Sequence, residues 1–510
     1  MLAPTTLALA TLDWAVIGLY AALLLGTGVW LARKPEDASG YFLAGRRMPA
    51  WAVAISTLAT SLSAATFVAA PDQAYRGDLT YLIASLGGVV AAIIVAWVFL
   101  PALYAQGATT VYEILGRRFG RGSQRTASSM FLLGRVCASG ARVYIAAHAL
   151  AFIVLGELTP GGIVLSVWIV ASAGVLYTIF GGIATVIWTD VVQTAVFLLA
   201  VLVAVAHLAL NLGVDASGAL EILRDAEGGS KLEFLSLSTE PGETFTLWTA
   251  LIGFALLNIG AYGTDQDLAQ RLLTCKSKTH AARSLIGAIV GGVPVTALFM
   301  LFGLLLYVQD VTTTGAPNSE GVQSMMRYIT GDAPVGIPAG IGGLMIAGLF
   351  ASGLSSIDSA LNAMSSAFVN DLYAPLARNL TDRKRLRVAR LGVAVAGAVL
   401  GLFASACVAL HNKDDQTLIE FALAVMIYAY AGLVGVFACA LLTRRGSERS
   451  SIAAMLAGLA SVLILAFDPA EILPEAIASA AFPWKLTIGV SVAFGICILG
   501  KNRTPDAPRS

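Results

Sequence analysis

Four serines, Ser352, Ser355, Ser356 and Ser359, stand at spacings 0, 3, 4 and 7 in the apolar stretch from Gly348 to Asn362. Residues so spaced share one face of an α-helix. Such a stripe offers several hydroxyl oxygens within a few ångströms, a donor set that suits a small hard cation. Calcium and magnesium prefer oxygen ligands for the same hardness reason. Asp358 flanks the stripe. A carboxylate at the centre of a bilayer costs roughly 2.5–3.5 kcal/mol on insertion scales, and such residues usually mark an ion or substrate path. Serine pairs also pack helices together, but four hydroxyls beside a carboxylate favour an ion site.

A second polar cluster lies between Trp51 and Ala70: Ser56, Thr57, Thr60, Ser61, Ser63 and Thr66, followed by Pro71-Asp72. It reads either as helix packing or as a discontinuous helix whose freed carbonyls and hydroxyls line a site midway through the membrane. Arg135, Ser139 and Arg142, spaced 0, 4 and 7, form a third group on one face. Two guanidiniums in an apolar helix need partners, and Asp190 or Asp358 would serve. Asp190, in Ile187-Trp188-Thr189-Asp190, also reads as a helix cap. Alternatively one arginine takes a solute carboxylate, which its planar fork fits in bidentate fashion. In Asn258-Ile-Gly260-Ala-Tyr262-Gly263 the glycines loosen the helix, while Asn258 and Tyr262 supply hydrogen bonding and a stacking face.

The elements that must position these groups follow from composition. Of 510 residues, 57% are hydrophobic and only 12% charged, against about 25% charged in soluble proteins. This is an integral membrane protein. A net charge of +1 with no long basic tract excludes nucleic acid as a partner. The five cysteines stand far apart with no CxxC pair, which excludes a disulfide scaffold and the usual zinc spacings. The four histidines form no metal spacing, and no phosphate-binding loop of the GxxxxGK[ST] kind occurs. Neither a nucleotide-driven pump nor an enzyme fits.

A helix needs about 20 apolar residues to cross ~30 Å of hydrocarbon. Thirteen runs qualify, at roughly 11–32, 50–71, 80–104, 128–155, 161–180, 184–212, 245–264, 284–309, 336–369, 387–410, 417–442, 451–467 and 484–500. The first lacks a basic leader and a cleavage site, so it is expected to be a retained helix. Of the 32 Lys and Arg, 24 fall in one set of alternate connections, 6 in the other, and Arg135 and Arg142 within a span. The richer set is expected to be cytoplasmic, with the N-terminus outside and the C-terminus inside. Loop 213–244, which holds seven acidic residues, is the external segment long enough to cover an entrance, with a short amphipathic helix expected around 220–224.

At these residues the chain resembles the sodium:solute symporter family, which includes sodium/sugar, sialic acid, proline, pantothenate and iodide transporters. The matching stretches are Tyr41-Phe-Leu-Ala-Gly-Arg46, Gly181 through Trp188-Thr189-Asp190, Thr264-Asp265-Gln266 with Gln270-Arg271, and Ser355-Ser356 through Asn362 to Asp371-Leu372-Tyr373. The resemblance implies an all-α leucine-transporter-type fold of two inverted five-helix repeats with flanking helices. The implied divisions are 1–45 (extra helix and loop), 46–213 (first repeat), 214–244 (external loop), 245–445 (second repeat) and 446–510 (two further helices and a tail).

The same resemblance implies a main sodium site on the carbonyls of Ala59, Leu62 and Ser352 with the hydroxyls of Ser355 and Ser356. It implies a second sodium on Asp190, Ser355, Asp358 and Ser359. The sialic acid transporter has serine where this chain has Asp358, so the extra charge tightens that site or pairs with an arginine. Solute positions by the same mapping include Ser63, Thr66, Tyr81, Ser85 and Asn258; Tyr262, Arg135 and Arg142 join the candidates from the reading of their own segments, and the arginine register differs from that of the sialic acid transporter. The sodium/galactose transporter carries a carboxylate and a glutamine where this chain has Ser85 and Thr66, which argues against galactose-like recognition.

The expectation is a sodium-coupled symporter, in the inner membrane of a cell, of a sugar, sialic acid or other organic acid. A proline-like amino acid, a monocarboxylate, or a solute sensor built on the same fold are the rivals. Its partners are sodium ions, a small-molecule solute and the lipid bilayer.

Overall fold

The computed structural model describes residues 9–31, 38–155, 159–226, 228–318, 321–331, 336–377, 381–410, 418–468 and 473–501. Arg33, Lys34, Arg378 and the tail beyond residue 501 therefore lie outside the described residues. Among those described, regular structure is helical apart from one bridge between Met48 and Cys275. The spans in chain order are α1 Thr11–Leu31, the bent pair α2 Ala50–Ser61 and α3 Ala64–Arg76, α4 Thr80–Ala105 and α5 Arg121–Leu155. They continue as α6 Pro160–Leu176, α7 Gly182–Leu210, α8 Leu247–Thr264, the short α9 Gln266–Leu273 and α10 Lys278–Thr314. The rest are α11 Ile341–Tyr373, α12 Asp382–Leu410, α13 Leu418–Leu442, α14 Glu448–Phe467 and α15 Phe482–Leu499.

Among the described residues nine of these are long and apolar enough to cross a bilayer, the bent pair makes a tenth, and three shorter apolar helices, Thr11–Thr27, Pro160–Leu176 and Met426–Leu442, stand beside them. Their number matches the apolar runs, but their ends do not. Helix α5 begins seven residues before its run, and α10 overhangs its run at both ends. Hydropathy registers only the part in hydrocarbon, whereas helical hydrogen bonding continues into the polar rim.

The junction of α6 and α7 turns at Gly182, with φ +64°. A Cβ there would lie 2.9 Å from the Tyr41 carbonyl oxygen, so glycine is needed both for the left-handed backbone and for the close approach. At Gly87 the backbones of α4 and α8 touch: a Cβ would sit 2.4 Å from the Ala250 carbonyl.

Two spans are interrupted. Helices α2 and α3 meet at 57°, and Leu62 leaves helical geometry at φ −92°, ψ 86°. The cause is local. Thr60 Oγ1 donates back to the Ser56 carbonyl, and Ser61 Oγ to the carbonyls of Thr57 and Leu58, a pattern that competes with the helical ladder and bends it. Helix α8 carries two π-helical turns, Ala250–Phe254 and Gly260–Thr264, and ends where Asp265 turns extended at φ −90°, ψ 125°. Asp265 then caps α9 by accepting from the Asp267 amide at 2.9 Å.

Near the α8–α9 break, side chains clasp neighbouring backbone. Gln266 accepts from the Val111 amide at 2.9 Å and donates to the Thr109 carbonyl at 3.1 Å. Tyr112 Oη donates to the Thr264 carbonyl, and Gln270 to the Phe42 carbonyl at 2.7 Å.

Loop 213–244 contains the expected helix, here Ala216–Arg224, capped by Asp215 accepting from Gly218. Beyond it Lys231 is buried, with its ammonium donating to the Tyr75, Arg76 and Gly77 carbonyls at 2.8, 3.3 and 3.1 Å and lying 4.4 Å from the Tyr307 ring centre. Burial pulls this ammonium below its ordinary pKa, and the carbonyls at the end of α3 offset that cost. Lys231→Ala is expected to free the loop from α3 and cost about 1–3 kcal/mol. Hydrogen exchange would show it as lost protection confined to residues 228–244.

Candidate cation and solute site

The serine stripe of α11 faces α2. Ser352, Ser355, Ser356 and Ser359 are each at most 2% exposed. Ser355 Oγ lies 3.3 Å from the Ala59 carbonyl and 3.2 Å from the Ser352 carbonyl. Ser356 Oγ lies 3.4 Å from the Ser352 carbonyl, and Ser359 Oγ 3.4 Å from that of Ser356. These contacts are long against the usual 2.7–2.8 Å for hydroxyl donors. The hydroxyls can turn their lone pairs to a cation at little cost. Leu62, 8% exposed, marks the point where the α2 backbone leaves its helical ladder. The structure thus brings together Ala59, Ser352, Ser355 and Ser356, with Leu62 at the adjoining break. Their neutral oxygens suit a small hard cation of single charge, held without a counter-charge and so more easily released than a divalent ion.

Asp190 and Asp358 lie beside this group, both 0% exposed. Neither carboxylate oxygen of Asp358 makes a well-formed hydrogen bond among the described residues, nor does Asp190 Oδ1. The Ser359 amide, Asp190 and Arg271 are the groups that Asp358 feels most. Tyr20 of α1 and Gln193 of α7 complete the surroundings.

The arginines are paired otherwise than expected. Arg135 does not meet Asp190 or Asp358. Its Nη2 pairs with Asp265 Oδ1 at 2.5 Å and its Nη1 with Asp267 Oδ2 at 3.2 Å. Asp190 Oδ2 is 3.2 Å from Arg271 Nη2 and accepts from Ser56 Oγ. Arg271 also reaches Asp267 Oδ1 at 2.7 Å and donates to Ser56 Oγ at 2.8 Å. Tyr430 Oη donates to Asp265 Oδ2 at 2.8 Å. One network therefore ties α2, α5, α7, α9 and α13. Asp265, Gln270 and Arg271 stand within the matching stretches of the sequence, which does not reveal these partners. The pairing of Asp267 with Arg271 at i, i+4 was the available signal.

The positions expected to meet solute fall in two groups, one at the α2–α3 break and one along α4 and α8. Ser63 and Thr66 are buried at the break. Tyr81 packs edge-on against Phe245 at 5.2 Å, and Tyr81, Tyr262 and Arg142 lie within electrostatic range of one another. Asn258 donates to its own helix at the Phe254 carbonyl, and its Oδ1 lies 4.0 Å from where a Cβ on Gly88 would be, one turn along from Ser85.

Comparison with known proteins agrees with this geometry. A family model described as the sodium:solute symporter family matches residues 41–458. The sodium/sialic acid symporter NanT of Aliivibrio fischeri is 29% identical over 89% of this chain and 87% of its own length. The human sodium-coupled monocarboxylate transporter 1 is 29% identical over 88% of this chain and 70% of its own. Among solved structures, the substrate-bound, outward-open state of a Na+-coupled sialic acid symporter superposes with a TM-score of 0.82, at 25% identity over 96% of this chain and 97% of that one. The fold is accordingly the leucine-transporter-type inverted repeat, and its relatives are transporters. This multi-pass membrane protein, with hydroxyls and carbonyls converging where a helix breaks, belongs to the sodium:solute symporter family and couples sodium to the movement of a small solute.

Proposed function

We propose that the chain is a symporter of a small organic acid or sugar-like solute in the inner membrane, with its N-terminus outside and C-terminus in the cytoplasm. The observation that carries the reading is the contact of Ser355 Oγ on the Ala59 carbonyl, at 3.3 Å. A sodium ion there trades its water shell for oxygens of α11 and of the broken α2. It draws the two helices together and readies Ser63, Thr66, Tyr81, Ser85, Asn258 and Tyr262 for solute. Sodium and solute then favour the same conformation, so each raises the other's affinity. Each sodium gains ~2.3 kcal/mol from a 100 mV potential and ~1.4 kcal/mol from a tenfold concentration gradient. For an uncharged solute one sodium thus sustains a gradient of about a few hundred-fold, whereas a monoanion cancels the electrical gain of one sodium and needs a second ion to exceed about tenfold. The repeats are taken to span 46–213 and 245–445, with 214–244 between them as an external cover.

A second sodium is assigned to Asp190, Ser355, Asp358 and Ser359. In proteoliposomes, an inward sodium gradient should drive uptake of N-acetylneuraminate or pyruvate. Equal uptake in potassium would overturn the reading. Asp358→Asn is expected to lower the charge moved per solute by one and the sodium Hill coefficient towards 1. Unchanged values would remove the second ion.

A further inference from the structure

We propose that the cavity between the start of α5 and the end of α11 holds a zwitterion made of a phosphate and a primary ammonium, the headgroup of a phosphatidylethanolamine lipid.

Asp371 closes the last of the matching stretches, yet it stands twelve residues, or about 18 Å of helix, beyond the serine stripe. It is 1% exposed. Its Oδ1 accepts from Thr110 Oγ1 and Gln124 Nε2, both at 2.7 Å. Its Oδ2 makes no well-formed hydrogen bond among the described residues. Ser128, the hydroxyl nearby, is turned to the Ala367 carbonyl at 3.4 Å. A buried carboxylate oxygen without a donor is costly. Asp371 also lines an open cavity of about 280 Å³ together with Arg121, Gln124, Arg125 and Pro375, close to the lower end of small-ligand pockets, about 300–1,000 Å³.

The lining selects the ligand. Arg121 is exposed and Arg125 half-buried, and the buried Nε of Arg125 has no partner among the described residues. Neither guanidinium is ion-paired to a carboxylate among those residues. A guanidinium fork matches phosphate oxygens. An ammonium brings three N–H donors, which the open oxygen of Asp371 lacks. A bare cation would be repelled by the two arginines, and a simple anion by Asp371. A quaternary ammonium has no N–H to give. Phosphate and primary ammonium in one molecule satisfy all three side chains.

Depth favours a lipid over a free phosphoamine of the same chemistry. Helix α5 starts at Arg121, before the apolar run that opens at 128, so Arg121 and Arg125 lie in its polar overhang. Asp371 and Pro375 follow the run that ends at 369. Both sets stand at headgroup level, in the inner leaflet on the topology proposed above, where basic pockets take lipid headgroups. The apolar part of α11 is 89% buried. Large apolar side chains emerge from it only at this end, Phe368 at 39% and then Leu376 at 71% exposed, which gives acyl chains a surface beside the cavity.

The test is lipid binding by the full chain in detergent, read by native mass spectrometry and by thermal shift. The probes are phosphatidylethanolamine, phosphatidylcholine and phosphatidylglycerol, all with dioleoyl chains, and glycerophosphoethanolamine as the free headgroup. Phosphatidylethanolamine is expected to bind the wild type at least ~10-fold more tightly than the other two lipids. Asp371→Asn keeps an oxygen for Thr110 and Gln124 but removes the charge, and should abolish that preference. The double variant Arg121→Gln, Arg125→Gln should weaken phosphatidylethanolamine at least ~10-fold while sodium alone stabilises it as it does the wild type. Equal binding of the three lipids, or a preference that survives either change, overturns the proposal. So does tightest binding of phosphatidylglycerol, the mark of a plain basic patch. If Asp371→Asn does not fold, the double arginine variant and the lipid series on the wild type decide. Glycerophosphoethanolamine that displaces the lipid at equal concentration would overturn the membrane as the source, and a lack of displacement supports it.

Discussion

Ser356→Ala is expected to abolish sodium-driven uptake at working sodium concentrations while leaving the protein folded. The hydroxyl makes one long contact, 3.4 Å to the Ser352 carbonyl, so the apo fold loses little with it. The ion loses far more. A hydrogen-bonding or liganding oxygen on a charged group contributes about 1.5–3 kcal/mol, which lowers sodium affinity by about 10- to 150-fold. Ser355→Ala should cost as much in sodium affinity and, by freeing the Ala59 carbonyl, a little more in stability. Thermal stabilisation against sodium concentration separates the two effects. A Ser356→Ala protein whose midpoint rises along the wild-type sodium curve would show that the ion sits elsewhere.

The second large effect is on folding. Arg271 is 0% exposed and holds Asp190, Asp267 and Ser56 at once. Replacing it with Gln leaves Asp190 with Ser56 alone among the described residues. Removing one partner of a buried pair costs roughly 3–5 kcal/mol, a large part of the 5–15 kcal/mol that separates folded from unfolded states. The Arg271→Gln melting midpoint should fall by at least ~5 °C. Adding Asp190→Asn removes the stranded charge, so the double variant should recover about 1 kcal/mol or more relative to additivity. Strict additivity, or a single variant as stable as the wild type, would mean that the network is not holding α2, α7 and α9 together.

The spans were legible because lipid demands long apolar runs whatever the tertiary structure. The break at Leu62 was legible for a local reason too: six hydroxyl residues between Ser56 and Thr66 compete with the backbone ladder. The serine stripe of α11 could be read from helical spacing alone. The partner of Arg135 could not. Asp265 lies 130 residues away in sequence, and which carboxylate a guanidinium meets depends on how helices cross, which spacing within one helix does not encode. Asp190 and Asp358 were nearer to the polar cluster by chemistry, so they were the natural choice. Arg271 and Ser56 claim Asp190 first because α2, α7 and α9 converge there.

The clasp formed by Gln266, Gln270 and Tyr112 contains no formal charge. Each such bond is worth about 1 kcal/mol net, since water offers the same partner when it breaks. A door latched by dipoles rather than ions swings without dragging bare charge through hydrocarbon, and dissolved electrolyte cannot screen its hold.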